Sequence, residues 1–215
     1  RPSIRLASLM NVNSVFIFTH DSIYLGEDGP THQPIEQLMS LRLIPNVDVI
    51  RPSNSIEIEH SYKYAFSNSK NPKVLSLTRQ DLDYLDFNIS YEDFSKGGYV
   101  VSDGDDFTVV ASGSELEIAF KIKAALLEYS VRIVSVPILN KLSNMGNQEI
   151  NSLLKNKHVF SIELGRSIGW EDYLGRLTKA FSIDSFGESA PIEDLEGKFG
   201  FNVSSITKEI IKHLN

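Results

Sequence analysis

The sequence predicts an α/β fold in two parts: a partial parallel-sheet domain, then a second α/β domain. Three observations predict it. Short apolar runs at residues 15–18, 47–50 and 74–77 alternate with stretches of helical period, joined by short connections. After an acidic, aperiodic stretch at 81–98, a second series of apolar runs repeats that rhythm at 107–111, 132–136 and 158–163. Finally, polar and ionisable side chains crowd residues 19–34, between an apolar run and a helix start. Open α/β sheets place their ligands at such strand ends.

Taken in order, residues 3–10 put Ile4, Leu6, Ala7, Leu9 and Met10 at amphipathic spacing, and Asn11, Asn13 and Ser14 end that helix. The start, Arg1-Pro2-Ser3-Ile4, suits a helix in mid-course and suggests a chain that begins inside a domain. Residues 15–18 are a fully apolar strand of the kind found inside parallel sheets. The polar loop follows, with Pro34 tolerated in the first turn of the helix at 35–43. Residues 47–50 form a second strand, which ends at the turn and cap cluster Arg51-Pro52-Ser53-Asn54-Ser55. A helix at 57–66 turns Ile58, Tyr62 and Ala65 inward, and residues 74–77 make a third strand. Its carboxyl end carries Thr78-Arg79-Gln80.

The predicted division is a first domain at 1–85, a linker at 86–98 and a second domain at 99–215. Tyr84, Phe87, Tyr91 and Phe94 imply that the connecting stretch packs on the surface. In the second domain, Ser114 and Glu117 have capping-box spacing before a helix at 115–128. A strand at 132–136 stops at Pro137, a short helix spans 149–154, and a strand covers 158–163. A last short strand is expected at 183–186 and a terminal helix at 204–214.

Composition narrows the functional classes. With 21 basic and 28 acidic residues the net charge is −7, which argues against a nucleic-acid or membrane-surface binder. No apolar run approaches the roughly 20 residues of a membrane span. The chain has no cysteine, so disulfides, thiolate catalysis and cysteine-ligated metals are excluded together, which fits a cytoplasmic protein.

Four side chains are candidates for chemistry. His20 and His32 share one loop with Asp21, Glu27 and Asp28 between them, and imidazole titrates near neutrality. Their spacing matches no recognised zinc site. Asp28, between glycines, is either a turn former or an acceptor for a substrate hydroxyl. Arg79, just past a strand, is either a phosphate anchor or a surface partner for the acidic linker. Arg51 has a similar position on weaker grounds. Ser112-Gly113-Ser114-Glu115 reads as a capped helix start before an anion site. Trp170 and Tyr173, like Phe186-Gly187-Glu188, read as core and interface, and His60, His158 and His213 as structural.

The run Thr19-His20-Asp21-Ser22-Ile23 through Gly26-Glu27-Asp28-Gly29-Pro30-Thr31-His32-Gln33-Pro34 closely resembles the signature of the transketolase family. Leu77-Thr78-Arg79-Gln80, Lys96-Gly97-Gly98-Tyr99-Val100, Ala111-Ser112-Gly113-Ser114-Glu115 and Phe186-Gly187-Glu188-Ser189-Ala190-Pro191 look like family segments in the expected order. The resemblance covers essentially all 215 residues. Tyr24 departs from it, standing where the family commonly has glycine.

The resemblance implies the second half of a thiamine-diphosphate pyrimidine-binding domain followed by the family's carboxyl-terminal domain. It implies transfer of a two-carbon ketol unit from a ketose phosphate to an aldose phosphate in the pentose phosphate pathway. By likeness, His20 would bind the sugar or its phosphate, and Asp28 would read a hydroxyl configuration. His32 would move protons near the aminopyrimidine, and Arg79 would clamp the terminal phosphate. Thiamine diphosphate and magnesium, or calcium, would be held by parts of the enzyme with no counterpart here. The partners implied are sugar phosphates, the amino-terminal cofactor-binding part of the enzyme or a separate chain, and a second copy in a homodimer. The rival readings are deoxyxylulose-phosphate synthase, a keto-acid dehydrogenase beta subunit, or a non-catalytic interaction module. The four candidate side chains are expected to converge around one phosphorylated sugar, and this chain alone is expected not to catalyse.

Overall fold

Two sheets, each fed by β/α alternation, meet along buried strand ends. The computed structural model describes residues 1–67 and 70–215. The first sheet contains β1 (Val15–Thr19), β2 (Asp48–Ile50) and β3 (Lys73–Leu77), ordered β1-β3-β2 with both pairings parallel. Helices α1 (Pro2–Leu9), α2 (Gln37–Arg42) and α3 (Ser55–Ala65) flank or connect these strands. Thr19 pairs with Leu77, so the loops leaving β1 and β3 emerge side by side.

The strand at 15–18 is not an interior one. β1 lies at the sheet edge, and Ile17 and Phe18 are 46% and 43% exposed. Its apolar run records a surface without a cover in this chain. Leu6, Leu9 and Met10 of the α1 region extend the exposed apolar area.

The helix at 55–65 also turns a different face inward. Tyr62 is exposed, and the buried residues are Glu57, Ser61, Tyr64 and Ala65. Glu57 explains the rotation: it accepts bonds from Ser53 N (2.6 Å), Ser53 Oγ (2.9 Å), Ser135 Oγ (2.6 Å) and the Tyr99 hydroxyl. Burial pushes its carboxyl above the usual range while those donors pull the other way.

The stretch taken as a linker contains a short helix, α4 (Tyr91–Ser95), capped by Ser90, with Phe94 fully buried. β4 (Tyr99–Ser102) follows and opens the second sheet. Its other strands are β5 (Phe107–Ala111), β6 (Val131–Ser135), β7 (His158–Ile162) and β8 (Lys179–Phe181), in the order β4-β6-β5-β7-β8. β4 is antiparallel to β6, and the other pairings are parallel. The last strand is thus 179–181 instead of 183–186, because Ile183 instead donates its N–H to the Gly165 carbonyl.

Helix α5 (Glu115–Ala125) stops three residues before the predicted end. The capping box is absent: Ser114 has helical backbone angles and its hydroxyl donates to Glu115. Helices α6 (Asn147–Leu154), α7 (Trp170–Leu174), α8 (Ile192–Phe199) and α9 (Val203–Leu214) complete the second part. Trp170 is core as expected, whereas Phe186 is exposed.

The two parts are docked as a protein interior. Ile23, Tyr24 and Ile35 pack in one cluster with Phe107, Leu116, Ile162 and Leu195. At the seam, Arg51 is fully buried. It donates to Asp21 (2.8 Å), Glu115 (2.5 Å) and Glu163 (3.3 Å), and Glu163 also takes a two-pronged bond from Arg42 at 2.7 Å per arm. Arg51 is therefore a tie between domains and not a phosphate anchor. Burial works against its charge, but Asp21, Glu115 and Glu163 together hold its proton more firmly than usual. Three carboxylates face two guanidinium groups. Burial raises the Glu115 carboxyl, with Arg51 opposing; for Glu163, burial is outweighed by Arg42 and Arg51, and its carboxyl falls below the usual range.

Candidate substrate cleft

The loop from β1 turns through a single 3-10 turn at Ile23–Leu25 and then reverses at Gly26. Gly26 has φ 82° and ψ −125°, a conformation closed to residues with a Cβ. Around that point four successive carbonyls, of residues 24 to 27, each receive a side-chain donor. Gln80 Nε2 reaches Tyr24 O at 2.8 Å, Arg79 Nη1 reaches Leu25 O at 3.4 Å, and Gln33 Nε2 reaches Gly26 O at 2.6 Å. The Ser189 hydroxyl bonds Glu27 O. Gln33 Nε2 also donates to Glu188 O at 2.8 Å. A Cβ on Gly187 would lie 1.6 Å from Gln33 Oε1, so that glycine is what lets segment 187–191 close on the loop.

These bonds shape a cleft of about 260 Å³ lined by Gly26, Glu27, Asp28, Arg79, Gln80 and Ile192, among others. Asp28 and Arg79 thus share one cavity, formed by the loop after β1, the end of β3 and the 187–192 segment of the second domain. Apart from its one bond to Leu25 O, the Arg79 guanidinium has no hydrogen-bond partner among the described residues, and the side chain is exposed. The salt bridge to the acidic linker, its alternative reading, is not formed. A cation with free donors beside a carboxylate can take a phosphate at one end and a hydroxyl at the other.

The two histidines do not join that cavity. His20 lines a neighbouring groove of about 280 Å³ with Phe18, Thr19, Asp21, Pro34 and residues of α1 and α2. His32 lines neither. The expected convergence of all four side chains is therefore not met within this chain: Asp28 and Arg79 come together, and His20 and His32 stand apart. His20 does have the left-handed backbone φ of 66°, uncommon outside glycine. In both rings Nδ1 is paired with the preceding threonine hydroxyl, Thr19 at 2.7 Å and Thr31 at 2.9 Å. Neither Nε2 has a partner among the described residues, so each ring presents one nitrogen outward.

Among the described residues no three metal-ligating side chains group together. This part of the fold thus offers no cage for a metal–diphosphate pair. No described helix is long and apolar enough to cross a membrane. Missed in the sequence were Tyr24, Gln33 and Gln80 as the groups that hold the loop; Tyr24 and Gln33 lie within the glycine-bearing loop itself, whereas Gln80 gave no local signal.

Fold and cleft together define a two-part α/β protein with a small polar cleft where its parts meet. Its family is shown by comparison: residues 1–83 match the transketolase pyrimidine-binding domain, and residues 97–202 match the transketolase-like C-terminal domain. The chain belongs to the transketolase family. It is 39% identical to the transketolase of Staphylococcus aureus (strain MW2) over 98% of its own length and 33% of the relative's. Against that of Bacillus subtilis (strain 168) it is 39% identical over 100% and 34%. The structure of transketolase from Leishmania mexicana superposes with a TM-score of 0.92 at 35% identity, covering 99% of this chain and 32% of that one. A split-gene transketolase, solved as an inactive β4 tetramer, shares the fold with a TM-score of 0.77 at 23% identity. The chain spans about a third of the length of the curated relatives it matches.

Proposed function

We propose that this chain supplies the sugar-phosphate-binding portion of a transketolase active site and does not catalyse by itself. The observation that carries the reading is the shared Asp28–Arg79 cleft at the carboxyl ends of parallel strands, in a chain of this family. Arg79 takes the terminal phosphate through its free guanidinium arms, and the Asp28 carboxylate accepts a hydrogen bond from a sugar hydroxyl. His20 and His32 complete the site from the side now open, each offering Nε2 to substrate oxygens or to a proton in transit.

Thiamine diphosphate is the cofactor implied by the family, and it supplies the electron sink for breaking the carbon–carbon bond. The described residues do not fit its metal–diphosphate end, because no group of three acidic or imidazole side chains that could hold a metal ion is present among them. That end and its magnesium belong to a further part of the enzyme, on the same polypeptide or another. The work of this chain is to bind, orient and exclude water. Pentose phosphate metabolism in the cytoplasm, with two copies per enzyme, is the setting that suits this chemistry.

The complete enzyme carrying this chain tests the reading. It is expected to transfer a ketol unit from xylulose 5-phosphate and not to use pyruvate as donor. Turnover of pyruvate in place of the ketose phosphate would assign the chain to another branch of thiamine enzymes.

A further inference from the structure

We infer that Tyr24 is a positioning residue of the substrate cleft, acting through its hydroxyl on Glu196 of α8. This rests on the sugar-phosphate reading above and adds what sets the geometry of that site. Tyr24 is 8% exposed, with its ring inside the cluster shared by both domains. Its hydroxyl donates to Glu196 Oε1 at 2.6 Å, a contact between residues 172 positions apart. Its N–H bonds the Ser22 hydroxyl at 3.2 Å, and its carbonyl takes Gln80 Nε2. The residue is thus held at the ring tip, at the amide and at the carbonyl.

What hangs from it is the cleft. Leu25 O, the next carbonyl, is the one hydrogen-bond acceptor of the Arg79 guanidinium among the described residues, and Asp28 follows Tyr24 by four residues. Gln80 links the Tyr24 carbonyl to the residue next to Arg79. A tilt of the 3-10 turn therefore moves the phosphate anchor and the hydroxyl acceptor together. At 3.4 Å, the Arg79–Leu25 bond is the longest of the set and the first to be lost when the turn shifts. Burial, reinforced by the Glu196 carboxylate, pushes the Tyr24 phenol far above its ordinary range, which favours the protonated hydroxyl that donates this bond. The cross-domain bond also explains how α8, which lines the cleft only through its first residue, Ile192, can govern it.

The test compares the complete enzyme with Tyr24→Phe, Glu196→Ala and Glu196→Gln variants. The readouts are kcat/KM for a ketose phosphate against an unphosphorylated ketose, and the affinity for the ketose phosphate by calorimetry, which needs no turnover. Tyr24→Phe keeps the buried ring and removes one hydrogen bond. It is expected to lower the preference for the phosphorylated donor about three- to ten-fold, mostly through KM, and to weaken calorimetric binding by a like factor. Glu196→Ala should reproduce this loss, and Glu196→Gln, whose side-chain carbonyl still accepts, should restore it. An unchanged preference and affinity in Tyr24→Phe, with or without a fall in melting temperature, overturns the inference. So does a Glu196→Gln variant no better than Glu196→Ala. A wild-type enzyme that binds the ketose phosphate without ketol transfer overturns the proposed reaction but leaves the calorimetric comparison of Tyr24→Phe decisive for positioning. A wild type that binds no sugar phosphate overturns both.

Discussion

At the scale of single residues, the cleft rests on a contrast between two arginines. Arg51 and Arg79 both follow short apolar strands, yet one is fully buried among three carboxylates and the other is exposed with its fork unpaired. A charge buried with partners is already neutralised and cannot serve a ligand; a free exposed one can. Replacing Arg79 by alanine in the complete enzyme should raise KM for phosphorylated donors about 10- to 100-fold, the worth of a charge-assisted hydrogen bond, with a much smaller effect on an unphosphorylated ketose. Steady-state kinetics on the two donors checks it, and equal losses on both would remove Arg79 from the phosphate end. As candidates, Arg79 was legible in the sequence because it sits just past a strand, and Asp28 because it lies between glycines in the loop after one. The burial of Arg51 was not, since its partners Glu115 and Glu163 lie 64 and 112 positions away. Nor was the separation of His20 from the Asp28–Arg79 cleft, which comes from the tertiary placement of α1 and α2 beside β1.

At the scale of elements, the β/α rhythm was readable because parallel strands are short apolar runs with turn residues at their ends. Two of the misplacements share a physical cause: contacts between the two parts override local pattern. Helix α3 buries Glu57 instead of Tyr62 because Ser135 and Tyr99 of the second domain bond that carboxylate. Ser114 gives up its cap because Glu115 is drawn onto Arg51. The short helices at 91–95 and 192–199 were missed, as each depends on a few anchoring side chains such as Phe94 and Leu195. The buried ion network has a pH signature. Glu115 has a folded pKa above its ordinary value, so between the two values the folded chain keeps a proton that the unfolded chain has lost. Stability contributed by that proton is fully present below the ordinary glutamate range and is lost as pH rises through the raised value. Glu115→Gln keeps an acceptor for Arg51 and has no such slope. Thermal denaturation should show the variant gaining on the wild type between pH 4 and pH 8, and parallel profiles would contradict the assignment.

At the scale of the whole molecule, the chain is a well-docked pair of domains with one face uncovered. The interior between the parts is dense, whereas β1, the α1 region and the His20 groove expose Leu6, Leu9, Met10, Ile17 and Phe18. A sheet edge with apolar flanks and unpaired backbone groups calls for a partner strand or a covering domain. The sequence resemblance implied a partial sheet domain, but which strand would be left bare follows from the structure, where β1 and β2 are both edges and β1 alone exposes its apolar residues. The same face carries the groove that His20 lines. The most direct measurement is ketol transfer from xylulose 5-phosphate by the purified 215-residue chain, given thiamine diphosphate and magnesium, with and without the cofactor-binding part of the enzyme. The account predicts no transfer by the chain alone and transfer once that part is added; turnover by the chain alone would contradict it.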